Sequence, residues 1–519
     1  MSVIQFGRLI LKEIFGGILM EKVQLETDII IVGAGNAALC AALAAREQGV
    51  HVTVLEKAPK KERGGNSAYT AGSILFPFNG IEDIKDIVTD LSEEEIANTD
   101  FGSYSEEQYF NDVARVTEYR ADPDLVDTLV SNSLSVMKWM RSKKIRFIPI
   151  YGRQAYKVDG KFKFSGGLVV EAAGGGLGLI NSQIEAAERE GITIIYDAHV
   201  KELIHDDEGV HGVIAKVKGK TTEIKAKAVV LANGGFQANA EMRTRYLGPG
   251  WDLAKIRGTR YNTGDGINMA LKAGAMPFGH WSGCHAVGWD RNAPEFGDLS
   301  LNAFQKYGFP YGIMVNANGE RFTDEGKDFK SFTYSTHGRL ILNQPGYFAW
   351  QIFDSKVTHL LKDEYRIKQV TKVTANTLEE LAQKLDGVDP EGFLRNIKEY
   401  NQAVKTDVPF NPNIKDGRGT EGLAIPKSNW ANTIDEGPFE AYAVTCGLTF
   451  TFGGIKINPK AEVQDTSELS IPGLYAAGEL VGGIWYFSYV GGAGLMSGSV
   501  FGKIAGENAA KFVQSMQLA

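Results

Sequence analysis

Cysteine is almost missing from this chain: Cys40, Cys284 and Cys446 are the only three in 519 residues, and no two form a Cys-x-x-Cys pair. That spacing excludes a disulfide framework, an iron–sulfur cluster and a cysteine-built zinc site, and it makes a reducing, cytoplasmic compartment the default. Long apolar runs are missing too, since none approaches the roughly 18 residues that a membrane-crossing helix needs. Positive charge is in deficit, with 55 Lys and Arg against 63 Asp and Glu and a net charge of −8. Without a basic cluster there is no electrostatic footprint for nucleic acid. His-Glu-x-x-His, a serine elbow and a phosphate-binding P-loop are absent, no metal site is indicated, and no internal repeat or low-complexity tract appears.

Glycine is abundant, at 60 residues, and it is clustered. Such usage is expected where backbone must lie against a long cofactor. The most informative cluster follows a β-branched run, Ile29 to Val32, which leads into Gly33-Ala34-Gly35-Asn36-Ala37-Ala38 and an alanine-rich helical pattern to about Glu47. A second strand pattern, His51 to Leu55, ends at Glu56-Lys57. This is strand, tight turn, helix, strand. Gly33 permits the turn, Gly35 lets backbone approach a pyrophosphate at the helix N-terminus, and Ala38 allows close helix–strand packing. Glu56 is placed to accept hydrogen bonds from an adenosine ribose. Gly64-Gly65-Asn66-Ser67 follows within one loop and suits a cofactor that extends beyond its pyrophosphate. Two further glycine-rich strand ends lie far away: Asn233-Gly234, and Gly478-Glu479 with Gly494-Leu495 after it. Three such ends across the chain fit one FAD domain interrupted by insertions, with Val200 near the adenine.

The fold class expected is α/β: a Rossmann-like FAD-binding domain interrupted by an inserted α+β capping domain that holds substrate. Residues 1–26 form an N-terminal extension. Residues 27–235 form the first part of the FAD domain, with a helical insertion at about 85–150. Residues 236–435 are mainly the capping domain, and 436–519 complete the FAD domain. Helices are expected over 124–143, 179–190 and 499–512, and a hairpin around Gly219. Within residues 1–20, apolar residues interspersed with Arg8, Lys12 and Glu13 suggest an amphipathic helix. It would lie on a membrane as a peripheral contact, on a neighbouring subunit, or on the protein's own surface. Met20 as the true start is a further reading.

Substrate is expected in a cleft between the two domains, against the flavin ring. Three constellations supply candidate catalytic groups. Asn318-Gly319-Glu320-Arg321 leads into Phe329-Lys330-Ser331-Phe332-Thr333-Tyr334, where a cation and hydroxyls alternate with aromatics. Lys330 and Tyr334 are the candidates there, with packing and ion pairing as the alternative. His280 to His285 and then Arg291 offer His285 and Arg291 for proton transfer or carboxylate binding, or else for core and surface structure. Trp485 to Tyr489 precedes Gly491-Gly492, which puts Tyr489 near the flavin's substrate side. Arg153, Tyr156 and Lys157 precede another glycine-rich loop.

Together these segments resemble the FAD-dependent fumarate reductase and succinate dehydrogenase flavoprotein superfamily, which includes 3-ketosteroid dehydrogenases, and more narrowly the tricarballylate dehydrogenase branch. The resembling segments include VGAGNAALCAALAAREQG (32–49), RGGNSAYTAG (63–72), the stretch from TRYNTGDG (259–266) to residue 298, GERFTDEGKDFKSFTY (319–334), TFTFGG (449–454) and GLYAAGELVGG (473–483). The likeness covers nearly everything after residue 27. It implies a capped flavin domain and hydride transfer between flavin N5 and a carbon near a carbonyl or carboxylate, with side-chain proton transfer at the adjacent carbon. It adds Asp265 of TRYNTGDG to the cofactor set. It also implies a small carboxylic acid or enone substrate and a separate electron-transfer partner. Two departures stand out: Phe450 falls where fumarate reductases carry a histidine, and Tyr489 where they carry a clamp arginine. Lys330 occupies the region of their proton-donor arginine. A lysine is a point charge and not a planar fork, so fewer carboxylates, or an enone, are expected. Lys330 remains able to move a proton if burial lowers its pKa. No histidine stands beside Gly64-Gly65-Asn66-Ser67, so the FAD is expected to be noncovalent. A catalytically altered flavoprotein serving electron transfer or scaffolding is the reading from a different class.

Overall fold

The computed structural model describes residues 9–15, 18–164, 166–301 and 303–518, with side chains from residue 26 to residue 517. The cofactor sheet has six strands in the order Thr193–Ile195, Val52–Leu55, Ile29–Val32, Ala228–Leu231, Ser470–Ala476, Glu462–Gln464. The first five run parallel and the last is antiparallel. Three of them, Ile29–Val32, Val52–Leu55 and Ala228–Leu231, are buried throughout. That explains why they read as continuous apolar runs and not as alternation.

Two helices pack on this sheet and on each other. The helix Asn36–Glu47 carries alanine along its buried face. The C-terminal helix Ala493–Leu518 meets it through Gly502 and Gly506, where an added Cβ would sit 2.4 Å from Ala37 O and 2.1 Å from Ala41 O. Only glycine allows that approach. It holds the end of the chain against the first cofactor helix.

The capping sheet is built on one strand of 17 residues, Phe439–Ile455. It pairs with Pro277–Asp290, Ala349–Phe353 and Lys372–Ala375, all antiparallel, and with Lys255–Ile256 in parallel. The sequence reading had assigned everything from 436 to the cofactor domain. Hydrogen bonding places this strand in the capping sheet instead, and the chain re-enters the cofactor sheet only at Glu462–Gln464. The helix Lys330–Leu342 packs on the same sheet. The helical insertion consists of Ile81–Ile87, Glu93–Asn98, Glu106–Val116 and Pro123–Ser142.

The amphipathic-helix reading of the N-terminal extension does not survive for its described part. Leu9–Phe15 and Ile18–Glu26 are antiparallel strands, and the second pairs in parallel with Lys220–Lys225. The hairpin widens the meander Ala198–Asp206, Gly209–Val217, Lys220–Lys225 to five strands. Two apolar-rich segments flanking Gly16-Gly17 are compatible with a hairpin. Residues 1–8 and 16–17 lie outside the described residues. Among the described residues, no helix is long and apolar enough to cross a membrane.

Candidate active site

One continuous cavity is lined by both sheets, from Val200 and Glu56 past Gly33–Ala37 to Gly494, Tyr334 and Lys330. At its first end the Glu56 carboxylate is buried and accepts the Ala34 and Ala58 amides, each at 2.7 Å. Burial pushes its pKa up, against the pull of those two amides. Each carboxylate oxygen keeps acceptor capacity for a ribose hydroxyl. Beside it Lys57 Nζ donates to Asp265 Oδ2 at 2.8 Å and Thr263 Oγ1 at 2.6 Å, and His199 Nε2 meets the same Asp265 oxygen at 3.0 Å. Burial opposes ionisation of Asp265, but the His199 and Lys57 hydrogen bonds outweigh it and hold the carboxyl well below its usual range.

In the middle, Gly35 precedes the helix Asn36–Glu47 in extended geometry and supplies no side-chain cap. Gly33 has φ +105°, and an added Cβ would meet Ala232 O at 2.6 Å. A bare helix N-terminus on a cavity wall is an anion site. The Asn36 side chain faces the other way, donating to Leu495 O at 2.9 Å and Ser499 Oγ at 3.0 Å, and so clasps the C-terminal helix. Toward the far end, Asn66 donates to Thr449 O at 2.6 Å and accepts from the Thr259 amide at 3.0 Å, which ties the loop 64–67 to the capping strands. Glu479 accepts the Thr451 amide at 2.9 Å, and burial raises its pKa to about 7. Asn233 Oδ1 and Thr449 Oγ1 are buried on this wall with no hydrogen-bond partner. Unpaired buried polar atoms call for a ligand. The acid at one end, the helix N-terminus in the middle and these orphans together fit FAD.

The far end is a chamber with capping-domain walls. The helix Lys330–Leu342 presents Lys330 and Ser331 and, one turn further on, Tyr334. The hydroxyls of Tyr334 and Tyr489 are hydrogen-bonded to each other. Burial raises both pKa values, that of Tyr334 well above the usual phenol value. Lys330 lines the chamber, donates to Arg153 O at 2.7 Å, and burial lowers its pKa to about 8 against the attraction of Glu364.

Of the cofactor residues expected from sequence, Gly33, Gly35, Asn36, Ala37, Glu56, Lys57, Gly65, Asn66, Ser67, Val200, Asn233, Gly234, Asp265, Gly478, Glu479, Gly494 and Leu495 line the cavity. Ala38 and Gly64 do not. Ala38 is fully buried under its helix, and Gly64, at φ +103°, turns the loop against Ile180. Two catalytic candidates also fall away from the wall. His285 is buried behind it, 4.6 Å from the Tyr489 ring, and burial pushes its pKa well below 6.5. Arg291 is at the surface, paired with Asp386 at 3.1 Å and stacked 4.0 Å over Phe348. The bulge between His285 and Ala286 and the following register carry Arg291 past the end of the sheet. Sequence reading missed Arg257, Gln305, Tyr307 and Glu364, all on the chamber wall. They come from short irregular connections with no periodicity to mark them.

The FAD binding domain family matches residues 28–495. The Shewanella frigidimarina (strain NCIMB 400) protein named "Probable fumarate reductase Ifc3" is 30% identical over 499 residues, which cover 93% of this chain and 75% of that protein. The 4-oxocyclohexanecarboxylate 2-dehydrogenase of Sinomonas cyclohexanicum is 27% identical over 548 residues, covering 93% and 92%. The solved open conformation of a flavocytochrome c3 fumarate reductase aligns with a TM-score of 0.70 at 28% identity, over 94% of this chain and 78% of that one. The chain therefore belongs to the FAD binding domain family, within the fumarate reductase and succinate dehydrogenase flavoprotein superfamily, and is an FAD-dependent oxidoreductase acting on CH–CH groups.

Proposed function

We propose that the enzyme interconverts a saturated ketone and its α,β-unsaturated counterpart, with Tyr334 and Tyr489 polarising the carbonyl. The observation that carries this reading is the buried hydroxyl pair on the chamber wall. Both phenols stay protonated at neutral pH because burial raises their pKa values. One hydroxyl donates to the other, which leaves one O–H of the pair to donate in a dry site to the enolate-like oxygen that develops beside the reacting carbons. Bound FAD supplies the two-electron chemistry, accepting or giving a hydride at N5. Lys330 handles the proton at the α carbon. With a pKa of about 8 its amine is available as a base near neutrality and its ammonium as an acid in the reverse direction. His285 packs behind Tyr489 and fixes its ring. A separate electron carrier returns the flavin to its starting state.

A polyacid of the tricarballylate kind is the second reading. It is weakened by Phe450 and Tyr489, which stand where carboxylate-binding side chains are expected. The 4-oxocyclohexanecarboxylate 2-dehydrogenase is a relative whose name already contains a ketone. Anaerobic mixing of the FAD-loaded enzyme with cyclic ketones, and separately with di- and tricarboxylates lacking a ketone, tests the choice. Flavin bleaching by ketones alone is expected; bleaching by the polyacids alone would overturn the proposal.

A further inference from the structure

We infer that Arg257 is the receptor for a substrate carboxylate, so that the ketone substrate is an oxo acid. The inference rests on the ketone reading above and adds the second functional group. Arg257 is buried, 7% exposed, and lines the chamber. Among the described residues its one side-chain hydrogen bond runs from Nη1 to Tyr307 Oη at 2.9 Å, while Nε is buried with no partner. No carboxylate among the described residues lies within ion-pair distance of it. The Trp289 ring lies 5.8 Å from the guanidinium carbon.

A guanidinium withdrawn from water without a counter-charge is costly, and such groups are retained where an anion completes them. The planar fork suits a carboxylate taken side-on. The group is also held in place. Its own amide donates to Leu448 O at 2.8 Å, immediately after the strand Lys255–Ile256 that pairs with the capping spine. Tyr307 orients it, and the Tyr307 ring lies 4.9 Å from that of Tyr334. The row Arg257, Tyr307, Tyr334, Tyr489 thus puts one cationic fork and one hydroxyl pair on the same wall, at the end remote from the anion site at Gly33–Ala37. Other cations of the chamber are engaged: Arg153 faces Glu171 at 3.8 Å, and Lys330 is turned to a carbonyl.

Calorimetric titration of the FAD-loaded enzyme with three probes tests this: cyclohexanone bearing a 4-carboxylate, its methyl ester, and cyclohexanecarboxylate. The oxo acid is expected to bind on the order of 100-fold tighter than the ester. In Arg257→Met that ratio should fall to near one, and in Arg257→Lys it should be intermediate, because an ammonium keeps the charge and loses the fork. Unchanged FAD absorbance in both variants reports an intact fold. An acid-to-ester ratio that is the same in wild type and Arg257→Met would overturn the assignment and leave the ketone reading standing. Cyclohexanecarboxylate binding as tightly as the oxo acid, with the same dependence on Arg257, would instead overturn the ketone reading and spare the assignment of Arg257.

Discussion

Lys330 gives the sharpest test of the chemistry because its environment sets a number. Burial lowers its pKa to about 8, against about 10.4 for a lysine in water. As the base in the dehydrogenation direction it acts as the free amine. With a pKa of about 8 that fraction is roughly one tenth at pH 7 and nine tenths at pH 9, a rise of about tenfold followed by a plateau. A water-like lysine would rise about a hundredfold over the same interval with no plateau. The assay is anaerobic stopped-flow reduction of the flavin by saturating ketone, followed from pH 6 to pH 10. Lys330→Met should lower the limiting rate by about 10²–10⁴-fold and abolish the break near pH 8. In the reductive direction the sign inverts, and the rate should fall as pH rises through about 8. A break that persists in Lys330→Met would refute the reasoning. Stability carries the same signature. Between pH 8 and 10.5 the unfolded chain binds the proton that folded Lys330 has released, so stability rises with pH through that window, and the gain is missing in Lys330→Met.

Tyr489→Phe removes half of the hydroxyl pair and should cut turnover of ketones about 10²–10³-fold while FAD content, read from absorbance, is unchanged. Gly506→Val places side-chain atoms where even a Cβ would lie 2.1 Å from Ala41 O. A lowered thermal unfolding temperature with loss of bound FAD is expected, since overpacking costs about 1–3 kcal/mol or more; retention of both would show that the helices separate freely. Arg291→Ala should leave steady-state turnover within about twofold of wild type, because a surface ion pair is worth about 0–1 kcal/mol and does not reach the chamber. Asp265→Asn breaks the junction of Lys57 and His199 and should weaken FAD retention measured by dialysis.

Most of the expected cofactor residues line the cavity, and they were legible because each belongs to a local pattern. Gly33 and Gly35 sit between a buried strand and a helix, and Glu56 closes the next strand. Backbone geometry alone makes such positions recognisable. The capping residues lack that advantage. Lys330, Tyr334 and Tyr489 were marked by unusual aromatic and polar interleaving, but Arg291 carried a comparable signal and is at the surface. Arg257 carried none. The two-residue strand before it has no period, and what makes this guanidinium informative is that no carboxylate among the described residues pairs with it, which is a property of the folded surroundings.

The chain's own order of residues pointed to a dinucleotide at a strand–turn–helix and to an interrupted binding domain. Those follow from short-range sterics, spacing and composition. Tertiary structure decided the rest. It settled which sheet receives Phe439–Ile455, that Leu9–Phe15 and Ile18–Glu26 of the N-terminal extension pair on the meander, and which of several cations line the chamber. It also brought together the two features on which the proposed chemistry turns, the hydroxyls of Tyr334 and Tyr489, 155 residues apart, and the burial of Lys330 that lowers its pKa. Both come from burial and from neighbours distant in sequence.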